Sequence, residues 1–323
     1  MKNSENLALN NLLENLEQKK AQVFKNMAVI PLFFNEKHRS RYLTLAEAMK
    51  SGHIDVFEKD HSGTVPELRV VNKSGKKVLI VDAEELAGAK QNRILNTSIL
   101  LKKHSETIIP VSCTESGRWN YTSNKFHDSE NIAIPNMRSK KAASVSNSLN
   151  FANTYLSNQT EVWDGVEELI QKSKMNSPTR SMKDVYDRKK SEVNDYMEAF
   201  RIKDKQKGFI VLIDGNVVGL EYISYHKAFR KLYSKILKSY AIQAHLQYAK
   251  TVKKVNKKSG TEFIARINAS DTAKFKSPGH GYDHRITGKD LTGNILIYRK
   301  EVIHFAAFNN KNEKRNPYWE RPW

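Results

Sequence analysis

Residues 67–115 read ELRVVNKSGKKVLIVDAEELAGAKQNRILNTSILLKKHSETIIPVSCTE, and within them short β-branched and apolar runs (68–72, 77–82, 94–101 and 107–113) are separated by turn residues such as Lys73, Ser74 and Gly75. Runs of this length between turn signals predict strands rather than helices, joined as an antiparallel meander or as half of a sandwich.

Outward from this block the periodicity changes. Leu9, Leu12, Leu13, Leu16, Val23 and Phe24 recur at three- and four-residue steps and predict an amphipathic opening helix. AVIPLFF at 28–34 predicts a strand. The TLAEAMKSG segment carries a Thr44 cap, Glu47 three residues later and Gly52 beyond its end, the signature of a short helix. Residues 123–158 are rich in Ser, Asn and Lys and predict a long irregular connection, partly helical around 144–155. Helical patterns follow at 161–172 and 184–200, then the hairpin FIVLIDGNVVGL with its tight turn at Asp214-Gly215 or Gly215-Asn216. The 224–248 segment has a continuous stripe of Phe229, Leu232, Tyr233, Ile236, Leu237, Tyr240, Ala241, Ala244 and Tyr248. EFIARIN, NILIYRK and EVIHFAAF predict closing strands, followed by a tail. Strand-rich ends around a helical middle do not alternate as a doubly wound fold would, so the expected class is α+β, an antiparallel β-rich core with one long amphipathic helix and flanking helices. The expected organisation is an N-terminal helix (1–27), one domain (28–308) with two subdomains (28–122 and 159–308) joined through 123–158, and a tail (309–323).

Several classes fall away. The longest apolar runs are strand-length pieces, far below the roughly 20 residues that span a bilayer, so no membrane partner is expected. The opening residues lack the apolar core and cleavage site of a secretory signal, and the cytoplasm is the expected compartment. The single cysteine, Cys113, rules out an internal disulfide and cysteine-rich zinc sites. There is no phosphate-binding loop, dinucleotide glycine fingerprint, GxSxG elbow or HExxH, and no cofactor is indicated. His280, Asp283, His284 and His304 fit no metal spacing and are expected as turn and surface residues.

Charge points to anions. The 54 Lys and Arg exceed the 35 Asp and Glu by 19, and ten of the basic residues lie between Ile223 and Thr261 with no acid among them. Lys227, Lys231, Lys235 and Lys238 fall together opposite the apolar stripe, either as a solvated face or as a track for a phosphate backbone.

The densest polar cluster inside apolar strands is 81–100, with Asp82, Glu84, Glu85, Gln91, Asn92, Arg93, Asn96 and Ser98. If 92–101 is extended, Asn92, Asn96 and Ser98 share one face and Arg93 takes the other. Unpaired buried polar groups cost roughly 1–3 kcal/mol. The cluster is therefore either an internal network or the floor of a pocket suited to a ribose or base, with Glu84 or Glu85 as general acid/base. In SCTESGRW, Cys113 has no activating motif, whereas Glu115, Arg118 and Trp119 suit a phosphate with a stacked base, or equally a structural cation–π pair.

The run from Val65 to Tyr121 resembles a bacterial family whose domain is called the ARG- and rhodanese-phosphatase-superfamily-associated protein domain. The resemblance extends through 157–170, Ser177–Thr179, the 209–223 hairpin, the helix before Ala241 and 280–308. Glu84, Glu85, Gly88, Gln91, Asn92, Arg93, Asn96, Ser98, Cys113, Glu115, Arg118, Trp119, Gln159 and Trp163 fit its recurrent pattern, while Ala83 stands where a glycine is usual. Members take their name from neighbourhood with ADP-ribosylglycohydrolases and with rhodanese and phosphatase domains, which implies NAD or ADP-ribose metabolism. The resulting expectation is an NAD-derived or ADP-ribose-like ligand. Arg93 and Arg118 would neutralise its phosphates, Trp119 would stack its base, Gln91, Asn92 and Asn96 would read ribose hydroxyls, and Glu84, Glu85 or Glu115 would act as acid/base. Ser98, Gln159 and Trp163 complete the expected ligand set. The alternative is a non-enzymatic module that docks nucleic acid or an acidic protein on Lys227, Lys231, Lys235 and Lys238.

Overall fold

The computed structural model describes residues 4–60, 63, 65–248, 256 and 258–310. Lys250, Lys253, Lys254 and Lys257 of the basic segment and positions 311–323 of the expected tail lie outside the described residues.

The fold is α+β. A nine-stranded antiparallel sheet has the order Glu17–Gln18, Met27–Phe33, Gly208–Ile213, Asn216–Ile223, Glu301–Asn309, Leu291–Tyr298, Tyr282–Gly288 and Asp271–Lys276, with Gln22–Phe24 pairing on Met27–Phe33 off this path. A second sheet of six strands runs Phe126–Ile132, Glu84–Gly88, Arg93–Leu95, Ser105–Cys113, Glu67–Asn72 and Ile54–Glu58. Ile99–Leu101, Val78–Ile80 and Leu43–Thr44 form a third, small sheet whose last pair is parallel. One hydrophobic cluster joins Leu79, Val81, Ile94 and Ile132 to Phe209, Val211, Phe229 and Tyr240.

Local signals explain many of these elements. Thr44 caps Leu45–Lys50 in a reciprocal capping box with Glu47. Asp214 and Gly215 take φ of 49° and 77° in the hairpin turn, both in the region a tight two-residue turn requires. The helix His226–Leu246 buries its predicted stripe from Phe229 to Ala244, whereas Tyr248 lies beyond its end and is exposed.

Three expectations are corrected. EFIARIN is not a strand but part of the helix Ser259–Asn268, because Phe263 and Ile267, four residues apart, go down together onto the core. The opening helix stops at Glu14, and Val23 and Phe24 belong to a strand. The 123–158 segment holds the strand Phe126–Ile132 and the helix Pro135–Ala152. This helix buries Arg138, Ser139, Lys141, Ser144 and Ser146 beside Met137, Ala142, Val145 and Leu149, so its inward face shows no apolar periodicity.

Candidate functional site

Residues 92–101 do not form one strand. Arg93–Leu95 pairs with Ser105–Cys113 in the register Arg93 to Cys113, the chain breaks at 96–98, and Ile99–Leu101 joins a different sheet. The predicted site residues consequently separate into several groups.

The glutamates face structural partners. Glu84 is fully buried and accepts from Lys235 Nζ at 2.7 Å and from Val81 N at 2.8 Å. Lys235 also donates to Asp128. Burial works against the Lys235 ammonium, but the two carboxylates outweigh it and raise its pKa. The four-lysine face is thereby corrected: Lys227 and Lys231 are exposed, Lys235 is buried, and Lys238 donates to Asn131 Oδ1 at 2.7 Å. The physical reason is that the helix packs on Phe126–Ile132 as well as on the large sheet, so this flank meets acceptors rather than water. Glu85 is also fully buried, accepting from Thr114 Oγ1 at 3.0 Å and Asn131 Nδ2 at 3.2 Å, and burial raises its pKa. Ala83, before the pair, takes φ of 61°, a conformation that glycine adopts freely and that explains the glycine usual there.

Asn96 and Ser98 turn into a sealed network. Asn96 donates to Tyr155 O at 2.9 Å and accepts from Ser112 Oγ at 2.6 Å. Ser98 Oγ accepts from Asp82 N at 2.8 Å and meets His304 Nδ1 at 2.7 Å. Asp82 binds Lys141 and Arg138, and Arg138 binds Glu221. Burial would raise the Asp82 pKa, but Lys141 and Arg138 pull it below the ordinary value. Asp283, His284 and His304 are buried here, not at the surface, and among the described residues no group of three or more His, Cys, Asp or Glu could hold a metal ion.

Asn92, Glu115 and Arg118 tie two loops together. Arg118 donates to Ala89 O (2.7 Å), Asn120 O (2.8 Å) and Glu115 Oε2 (2.6 Å), as well as to Asn92 Oδ1 (3.2 Å). The Glu115 carboxyl, which burial would raise, is held below its usual range by Arg118. The Arg118 guanidinium expected to meet a phosphate thus has its donors committed to the fold, and Glu115 is committed with it.

The remaining residues converge. Arg93 is 0% exposed, and its Nη1 donates to Gln91 Oε1 at 2.8 Å. Its Nε and Nη2 are buried without a hydrogen-bond partner. The guanidinium lies 5.7 Å from the Trp119 ring, which is 44% exposed. Gln91 Oε1 also accepts from the Cys113 thiol at 3.0 Å, and burial pushes that thiol's pKa up. Gln159 closes the backbone of Cys113 with both amide atoms, and the Trp163 side chain acts on the sulfur against burial, in the direction that lowers its pKa. The sequence reading missed Lys90 and Tyr121: the Lys90 ammonium sits 5.1 Å from the Trp119 ring and 5.3 Å from Tyr121. The spacing of Trp119 and Tyr121, two residues apart, was the available signal.

The molecule is thus an α+β protein in which a buried guanidinium, two of its nitrogens without a hydrogen-bond partner among the described residues, lies against the half-exposed ring of Trp119. Residues 15–308 match the family described as the ARG and Rhodanese-Phosphatase-superfamily-associated Protein domain, and the chain belongs to that family. No curated protein and no solved structure matches it. Among the described residues, no helix is long and apolar enough to cross a membrane.

Proposed function

We propose that this protein binds an NAD-derived or ADP-ribose-like nucleotide, with a phosphate against Arg93 and the base against Trp119. The observation that carries the reading is the Arg93 guanidinium, fully buried with two nitrogens unpaired. A buried charge lacking a counter-ion costs several kcal/mol, and a cation–π contact returns about 0.5–2 kcal/mol of it. A phosphate would supply the missing acceptors and charge. Trp119, half out in solvent, is the group that would swing aside to admit it, and Lys90 and Tyr121 extend the same rim. The family description, which names ARG proteins as associates, supports this ligand class. Glu84, Glu85 and Glu115 have their oxygens engaged elsewhere, so the reading is of binding rather than turnover.

Calorimetric titration with ADP-ribose, NAD, cyclic ADP-ribose, ribose 5-phosphate and a short single-stranded DNA tests it. Saturable nucleotide binding is expected, lost in Arg93→Met and weakened in Trp119→Ala by the roughly 1–3 kcal/mol of one stacked base. Equal affinity in Arg93→Met would remove the site. Binding of the DNA alone, fading with salt, would move function to exposed lysines such as Lys227 and Lys231.

A further inference from the structure

A small cleft lies away from Arg93, where the 34–39 loop meets Lys207, just before the strand Gly208–Ile213, and Ser224, just before the helix His226–Leu246. His38, Lys207, Ser224 and Lys300 line it, and its volume of about 40 Å³ is on the scale of a few waters, room for one small ion and not for a nucleotide. Like charges gather around it. The His38 ring lies 4.5 Å from that of Tyr225 and 6.1 Å from that of His226. Lys207, 6% exposed, donates to the Glu36 carbonyl oxygen at 2.7 Å. Burial outweighs the pull of the Glu301 and Glu36 carboxylates and holds that ammonium's pKa below the ordinary lysine value. Both imidazole pKa values are lowered as well, first by burial and next by Lys207, the strongest charge acting on either ring. His38 also faces Arg41 and Lys227, and His226 faces Lys227 and Arg230. The carboxylates in range are each engaged. Glu36 accepts from Asn11 Nδ2 at 2.7 Å, Glu301 from the Arg39 N–H at 3.1 Å, and Asp204, the acid acting on His226, from Arg230 at 3.3 Å. Three basic groups from three separate segments therefore share one space in which positive charge is in excess.

We propose that this cleft binds a tetrahedral oxyanion, a phosphate or sulfate group, held by Lys207 together with His38 and His226 in their protonated forms. An anion there relieves the repulsion among the three and favours the charged imidazoles. His226 opens a 21-residue helix that has no side-chain cap, so the positive end of that helix adds to the same attraction. Because the bound imidazoles hold protons that the free ones have released near neutral pH, binding takes up protons. Affinity then rises as pH falls from the bound-state pKa to the lowered free-state one, and levels off below it.

The test is calorimetry of the full chain with sodium sulfate between about pH 8 and pH 5, a range in which histidine titrates while sulfate keeps both charges. Saturable binding is expected, tightening about ten-fold across that range for each unit by which an imidazole pKa rises on binding. Imidazole resonances followed by NMR should show both pKa values raised at saturating sulfate. His38→Gln combined with His226→Gln keeps side-chain donors that do not titrate and should flatten the pH response. Lys207→Met should weaken binding about ten-fold or more at every pH, the loss of one charge-assisted hydrogen bond. Should Lys207→Met fold poorly, the glutamine pair still decides. At the pH of tightest sulfate binding, inorganic phosphate and methyl phosphate separate the sources: tighter binding of the first assigns a free ion, tighter binding of the second a phosphoryl group on an organic molecule. Absence of saturable binding, or a pH response that survives the glutamine pair, would overturn the proposal. Loss of sulfate binding in Arg93→Met would also overturn it, by placing the ion at the other site. Sulfate binding intact in Arg93→Met is the expected result, so this site and the nucleotide site stand or fall separately.

Discussion

Lys235 reaches from the middle of the His226–Leu246 helix to Glu84, 151 positions away in sequence, and bonds it at 2.7 Å in an interior that leaves Glu84 no water. Removing the ammonium would strand two carboxylates, Glu84 and Asp128, and breaking a buried pair in this way costs about 3–5 kcal/mol. Lys235→Met should therefore lower the denaturant midpoint sharply. Lys231→Met, at an exposed position, should stay within about 0.5 kcal/mol of the parent. Equal effects of the two would mean that Lys235 is solvated after all.

Gln159 acts as a one-residue strand against Cys113, accepting from its N–H at 2.8 Å and donating to its carbonyl at 2.9 Å. Gln159→Ala leaves both backbone groups without that partner, at about 1–3 kcal/mol, and loosens the strand end that carries the thiol. The parent thiol should react slowly with a disulfide reagent, being buried with a raised pKa. Faster modification of Cys113 is expected in the variant, and an unchanged rate would show that the amide pair does not guard the sulfur.

Local chemistry made much of this fold readable, because a capping box at Thr44 and Glu47 or an Asp214-Gly215 turn is decided within a few residues. The same holds for the stripe from Phe229 to Tyr240, whose period registers one wall of the core. Lys235 was illegible because its acceptors come from remote strands, and helical spacing cannot report that a second surface lies along that flank. The Pro135–Ala152 helix was hidden for a related reason: Arg138 and Lys141 go inward to Asp82 and Glu221, so burial there is carried by charge pairs instead of apolar repeats. At the candidate site, residue types named Arg93 and Trp119, while the absence of an ion pair at Arg93 among the described residues is a fact of packing alone.

That absence sets stability against binding. Arg93→Met replaces an uncompensated buried charge with an apolar chain, giving up one hydrogen bond to Gln91 and one face contact with Trp119. The desolvation relieved is larger than those two contacts together, so the variant should be more stable in buffer by about 1 kcal/mol or more. Saturating ADP-ribose should raise the unfolding midpoint of the parent and leave that of Arg93→Met where it was, since only a folded state that binds is stabilised by mass action. A destabilised Arg93→Met would mean that the guanidinium is satisfied in the folded protein.

Glu85 provides the pH dependence. Its carboxyl has hydrogen-bond donors in Thr114 and Asn131 but no bonded cation among the described residues, and burial raises its pKa above the ordinary carboxylate value. A raised pKa means that the folded state holds a proton the unfolded chain has released. Folding stability then falls as pH rises from the unfolded value through the folded one, and the loss persists above it. Glu161, pushed up to about 7 by burial, titrates in the same direction, so the parent's curve alone does not isolate Glu85. Glu85→Gln does isolate it: the amide keeps the shape, its oxygen can face Asn131, and the Thr114 hydroxyl can turn to accept from its nitrogen. The variant should match the parent below the ordinary carboxylate range and become progressively more stable than it toward neutral pH. Denaturant unfolding of both proteins across that range measures the gap, and a gap that is constant with pH, or that favours the parent as pH rises, would mean that Glu85 is ionised and stabilised where it lies.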